Sequence, residues 1–116
     1  MFKDAKIGDN VVLRYKVAIG ENCTIDDNVE IGDYSIIGNN VSIGTNVYLG
    51  MFVSAANNVK ISDFTKILGN VKIFSNATID EKVIIEENAF IGFDAIIRKG
   101  VHIKEGVEVE DNADIK

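Results

Sequence analysis

Read every sixth residue from Ile7, the chain presents Ile7, Leu13, Ile19, Ile25, Ile31, Ile37, Ile43, Leu49, Ala55 and Ile61, and continues in the same phase to Val109 and Ile115; eighteen of these nineteen positions are Ile, Leu or Val. Two residues before each stands a column of small or β-branched residues: eleven Val, five Ala, Cys23, Ser35 and Thr65. Residues two apart on an extended segment point to the same side, so these two columns face inward and the residue between them faces out. Ten of the twelve Asn lie three residues after the large apolar position, and seven of the ten Gly follow it directly. Asn and Gly accept left-handed backbone angles at little steric cost, so the spacing predicts a corner there. Six residues therefore make one short strand and one turn.

A flat six-residue unit has no core of its own. Three of them close a triangle, and triangles stacked about 4.8 Å apart pair their strands in parallel around an apolar column. The predicted fold is all-β, a single domain over residues 1–116. It is a parallel β-helix of about six triangular coils without an inserted loop. The chain contains no proline, which suits strands that must donate hydrogen bonds to the coil beside them.

The pattern small-x-[Ile/Leu/Val]-Gly-x-Asn, as in Val17 to Asn22 and Val41 to Asn46, resembles the hexapeptide repeat of the left-handed parallel β-helix superfamily. The resemblance implies a left-handed coil, against the usual right-handed parallel crossover, and a homotrimer. Many members are acyl-CoA-dependent acyltransferases acting on sugars, sugar nucleotides or small amines. Others are γ-class carbonic anhydrases, C-terminal domains of sugar-phosphate nucleotidyltransferases, or non-catalytic subunits. Fold alone does not choose among these.

Composition narrows the choice. Eighteen acidic against twelve basic residues give a net charge of -6, which argues against nucleic acid or an anionic membrane as a partner. One histidine and one cysteine supply neither a zinc ligand set nor an internal disulfide. The carbonic anhydrase branch, which needs three zinc-binding histidines, falls with them. The repeat begins within a few residues of Met1 and no Gly-rich phosphate loop precedes it, so a nucleotidyltransferase catalytic half is not expected in this sequence. The glycines at Gly32, Gly38 and Gly44 precede no predicted helix and so match no phosphate-binding loop. Without a signal-type or membrane-spanning run, a soluble, reducing, cytoplasmic setting is expected.

In acyltransferases of this family a histidine commonly takes the proton from the acceptor hydroxyl or amine, and the resemblance therefore points to His102. It stands between inward Val101 and Ile103 and faces out. Its neighbours at eighteen-residue steps are Ile84, Lys66, Tyr48, Glu30 and Val12. None is a carboxylate next to the ring, although Glu105 or Glu108 could reach it around the corner. Two readings stay open: a general base, with acetyl-CoA or another acyl-CoA lying along a groove between prisms as co-substrate, or one more solvated polar residue. Against the first, no interval exceeds six residues, so a lid is missing, and the closing Gly-x-x-Val-x-Lys-Asp-Val-Pro stretch of the family is not found. The competing function is a non-catalytic scaffold or oligomerisation module, either minimal or a segment of a longer transferase or nucleotidyltransferase.

Counting by eighteens also gathers an aromatic group. Tyr34 and Phe52 fall on one corner, with Tyr15 and Met51 beside them and Tyr48 on the adjoining strand; the expectation is a contact with a subunit, a partner or a ligand's adenine ring, against the alternative of an aromatic ladder that shields the backbone at the corner. Outward Ile36, Ile84, Phe90 and Ile96 suit the same burial. From Lys60 to Phe74 the repeat loosens, with Leu68 and Phe74 in the Gly column and Phe64 in the Asn column. Cys23, in the small inward column, reads as an inert core residue. The pairs Asp26-Asp27, Glu86-Glu87 and Glu110-Asp111 read as solvated corners. The acids from Glu105 to Asp114 read as blunting the edge of the final coil.

Overall fold

The sixfold pattern becomes nineteen two-residue strands, from Lys6–Ile7 to Asp114–Ile115, one per repeat. A computed structural model describes residues 3–116, and among these there is no helix. The strands form three parallel sheets of seven, six and six members. Each strand pairs with the strand eighteen residues away, as in Ile25 beside Ile43 and Ile31 beside Leu49. The first face begins at Lys6–Ile7, the second at Val12–Leu13 and the third at Ala18–Ile19. The result is a prism with extents of 32 × 21 × 19 Å.

The large inward column is buried from Ile19 to Val109 and the small one from Cys23 to Ala95. Each fully buried Ile or Leu contributes about 1.5–3 kcal/mol to keeping the column closed. The polar members of the small column are satisfied inside it. Ser35 Oγ donates to the Gly50 carbonyl at 2.9 Å and accepts from Val53 N–H at 3.2 Å. Thr65 Oγ1 donates to the Asp80 carbonyl at 2.9 Å, and the buried Cys23 thiol to the Gly38 carbonyl at 3.0 Å. Cys23 is thus the core residue its column predicted.

The corners correct one expectation. Every sixth residue from Asp4 to Asn112 is left-handed, with φ between 55° and 76°, and this column holds the ten Asn but only two glycines, Gly100 and Gly106. The glycines that follow the large inward residue have no positive φ; they are required by close approach. A Cβ on Gly20 would meet Asn39 Oδ1 and stand 2.7 Å from the Gly38 carbonyl carbon. Asn39 folds over that position because its Oδ1 accepts the Glu21 N–H at 2.9 Å. Asp27, Asn57, Asp63 and Asp111 bond the coil below in the same way. Asp27 and Asp111 are therefore structural caps, not merely solvated corners.

The loosened stretch from Lys60 to Phe74 keeps its strands in register. Phe64 takes the left-handed corner angle of 62°. Phe74 packs edge-on against Phe90 at 4.6 Å and stacks on Phe93 at 4.9 Å.

Candidate active site

His102 lies where the spacing put it, facing out from the second face near the last coil. Its carboxylate partner is neither Glu105 nor Glu108. Glu86, one coil below and just past inward Ile85, brings Oε2 to 2.5 Å from His102 Nε2. Glu108 stands on the third face. Glu105 contributes its backbone, donating N–H to Glu86 Oε1 at 3.2 Å. Both carboxylate oxygens are thus engaged, which holds Glu86 in one orientation.

The eighteen-residue count missed Glu86 because side chains at a corner lean toward the neighbouring strand. The residue after the large inward position meets the outward strand residue sixteen further on. Arg14 with Glu30 and Arg98 with Asp114 repeat this offset as ion pairs, and Phe74 with Phe90 as an aromatic pair. The Arg98 hydrogen bond holds Asp114 below the usual carboxylate range, and Arg98 is raised in turn by the same bond. This pair ties the last strand to the coil beneath it.

An acceptor carboxylate at Nε2 fixes the imidazole proton there in the neutral ring. The Nδ1 lone pair is then the basic site. The arrangement can take one proton at Nδ1 and stabilise the resulting imidazolium through Glu86. No group of three or more metal-ligating side chains occurs among the described residues. Among the described residues there is no helix long and apolar enough to cross a membrane.

The corner that carries Glu86 also carries the aromatic group, at the other end of the same edge. Tyr34 stacks on Phe52 at 5.2 Å with an interplanar angle of 5°, and Tyr15 meets Tyr34 edge-on at 5.6 Å. Tyr48 and Met51 are exposed beside them. Tyr34 and Phe52 hold φ of 61° and 59°, angles that suit Asn and strain a bulky side chain. Between this group and His102, a shallow recess is lined by Tyr48, Phe52, Leu68, Gly69 and Glu87. The Phe74, Phe90 and Phe93 cluster lies on another edge of the prism; its signal was Phe74 in a column where Gly is usual.

With the geometry in place, the relatives are informative. Residues 22–56 match the family described as bacterial transferase hexapeptide (six repeats), and residues 82–116 match the hexapeptide repeat of succinyl-transferase. The chain belongs to the hexapeptide-repeat superfamily. Its fold is similar to AntD, an N-acyltransferase from Bacillus cereus solved with dTDP and 3-hydroxybutyryl-CoA, with a TM-score of 0.61 at 17% identity over 92% of this chain and 76% of that one. A variant of AntD solved with dTDP and coenzyme A aligns at 25% identity, with a TM-score of 0.58 over 98% of this chain and 74% of that one. A perosamine N-acetyltransferase variant from Caulobacter crescentus, solved with CoA and GDP-perosamine, aligns at 16% identity with a TM-score of 0.57 over 85% of this chain. This chain spans about half of that enzyme, 52% of its length. No curated protein matches the sequence.

Proposed function

We propose that this protein is an acyl-CoA-dependent acyltransferase that moves an acyl group, such as acetyl, to a hydroxyl or amine of a sugar or sugar nucleotide. The observation that carries the reading is the oriented His102–Glu86 pair. His102 Nδ1 takes the acceptor's proton as the acceptor oxygen or nitrogen attacks the thioester carbonyl. The tetrahedral intermediate then expels the CoA thiolate, which takes the proton back from the imidazolium. Glu86 stabilises the imidazolium in between, and the acceptor's new C–O or C–N bond replaces the broken C–S bond.

The CoA- and nucleotide-bound acyltransferases of the same fold support the donor and acceptor classes. In this reading the protein is a homotrimer in a reducing cytoplasm, where the buried Cys23 thiol stays free. Tyr15, Tyr34, Tyr48, Met51 and Phe52 form the subunit contact, since burial between subunits offsets the strain at Tyr34 and Phe52. The opposing reading, a non-catalytic scaffold, draws on the unbroken six-residue spacing, which leaves His102 without a covering loop. Turnover of acetyl-CoA with a panel of amino and hydroxyl sugars decides between them. A loss of roughly 10²–10⁴-fold in His102→Ala is expected for a general base. Equal rates in the two proteins, or no CoA binding at millimolar ligand, favour the scaffold.

A further inference from the structure

The left-handed corner residues divide by edge. Along the edge between the third and first faces, every eighteenth residue from Asp4 to Asn112 is Asn or Asp, the types that take a positive φ at least cost. The two edges that bound the second face depart from this rule. The edge between the second and third faces holds Lys16, Tyr34 and Phe52 at positive φ, and the edge between the first and second faces holds Phe64 and Lys82. Phe64 is 53% exposed and meets no other ring among the described residues. We propose that these two edges bind each other between copies of this chain, the Tyr34–Phe52 edge of one copy lying along the Phe64–Lys82 edge of the next with the prisms in the same sense. The inference rests on the subunit-contact reading of the aromatic edge and names the surface that it meets.

Copies related by a rotation axis parallel to the prism meet at equal heights along it, so the two edges must match level by level. Eighteen residues raise the chain by one strand spacing, about 4.8 Å, and position in the sequence therefore gives the level. At the lower end, Lys16 falls between Asp9 and Asp26 of the opposite edge. In the middle, Phe64 stands twelve residues above Phe52, about 3 Å in height and within the span of two rings. At the upper end, Lys82 stands five residues below Glu87, roughly 1 Å in height. Cation thus meets acid below, ring meets ring, and acid meets cation above, a charge order that fixes both the register and the sense of the contact.

Other pairings fail on the same levels. The third edge offers Asp94 and, higher, Glu110 and Asp111, where Glu86 and Glu87 need a cation. A two-fold pairing of the aromatic edge with itself leaves Phe64 and Lys82 facing water, and their departure from Asn unexplained. The proposed contact also bears on the site. Glu87 follows Glu86 directly, so Lys82 of the second copy comes to rest beside the Glu86–His102 pair. The second face, which carries His102, is then bounded by a copy on each side, a cover that no loop of this chain supplies.

The test measures association by sedimentation for wild type, Phe52→Asn, Phe64→Asn, Lys82→Glu, Glu87→Lys, the double reversal of Lys82 and Glu87, and Asp94→Lys on the third edge, with circular dichroism to show that each chain is folded. Within one chain, Lys82 and Glu87 flank the strand Ile84–Ile85 from opposite edges, roughly 16 Å apart along an extended segment. A rescue by the double reversal therefore reports a contact between chains. Phe64→Asn and each single reversal are expected to weaken association about tenfold or more, through a lost anchor or facing like charges. The double reversal is expected to return within about threefold of wild type, and Asp94→Lys to change nothing. An associating wild type that Phe52→Asn weakens but Phe64→Asn does not overturns the proposal while the subunit-contact reading stands. A double reversal no better than the single ones overturns it as well, as does equal weakening by Asp94→Lys. A monomeric wild type overturns both.

Discussion

Glu86 precedes His102 by sixteen residues, and its two carboxylate oxygens are divided between the His102 ring and the backbone N–H of Glu105. The division matters because it sets which imidazole nitrogen is basic. Glu86→Gln presents an amide that can turn its NH₂ toward Nε2 and so favour the other tautomer. The substitution is expected to lower kcat by about 10²-fold with little change in KM, and to leave the melting temperature unchanged because the pair is exposed. Steady-state kinetics beside a thermal melt check it. An unchanged kcat removes Glu86 from the mechanism.

The glycines divide into two kinds, and substitution separates them. Gly20→Ala drives a methyl into Asn39 Oδ1 and the Gly38 carbonyl and is expected to cost about 1–3 kcal/mol, as overpacking does. Gly100, with φ of 76° and open space around it, needs only a residue that tolerates the left-handed angle. Gly100→Asn is expected to stay within about 0.5 kcal/mol of wild type. Urea unfolding of the two variants gives the comparison.

Phe52→Asn restores the common corner residue at a strained angle. Relief of a left-handed aromatic, roughly 1–2 kcal/mol, opposes loss of the stack on Tyr34, about 0.5–1.5 kcal/mol. Chain stability should therefore hold within about 1 kcal/mol while subunit association weakens. Sedimentation of wild type and variant tests this, and a monomeric wild type rejects the subunit-contact role of Tyr15, Tyr34, Tyr48, Met51 and Phe52.

The Arg98–Asp114 pair makes the last coil acid-sensitive. Asp114 has a lowered folded value, chiefly through the Arg98 hydrogen bond, so the unfolded chain binds its proton first as pH falls. The pair's contribution is present above the ordinary carboxylate value and is lost as pH drops through the lowered one. Amide exchange in the strand Asp114–Ile115 is expected to rise across that acid window and, in Asp114→Asn, to be already raised at neutral pH. Flat protection in both proteins contradicts the assignment.

Much of the architecture was legible because the repeat is a local constraint written nineteen times. Val17, Ile19 and Asn22 each report a requirement of their own six-residue unit: small inward, large inward, left-handed corner. The stack of Tyr34 on Phe52 was legible for the same reason, since residues one coil apart stand eighteen apart, with Tyr15 beside it one residue out of that step. Gly20 was misread because its reason lies in Asn39, one coil away. Glu86 was missed because counting by coils assumes that side chains stand straight out, and at a corner they lean.

The sequence by itself determined the number of strands, their phase, both inward columns and the identity of the one candidate base. These follow from covalent spacing and from which side chains tolerate burial or a positive φ. Only the tertiary structure decided what His102 touches and why Gly20 must lack a Cβ. Those relationships depend on the reach and lean of side chains between coils, and a period counted along the chain carries no information about either.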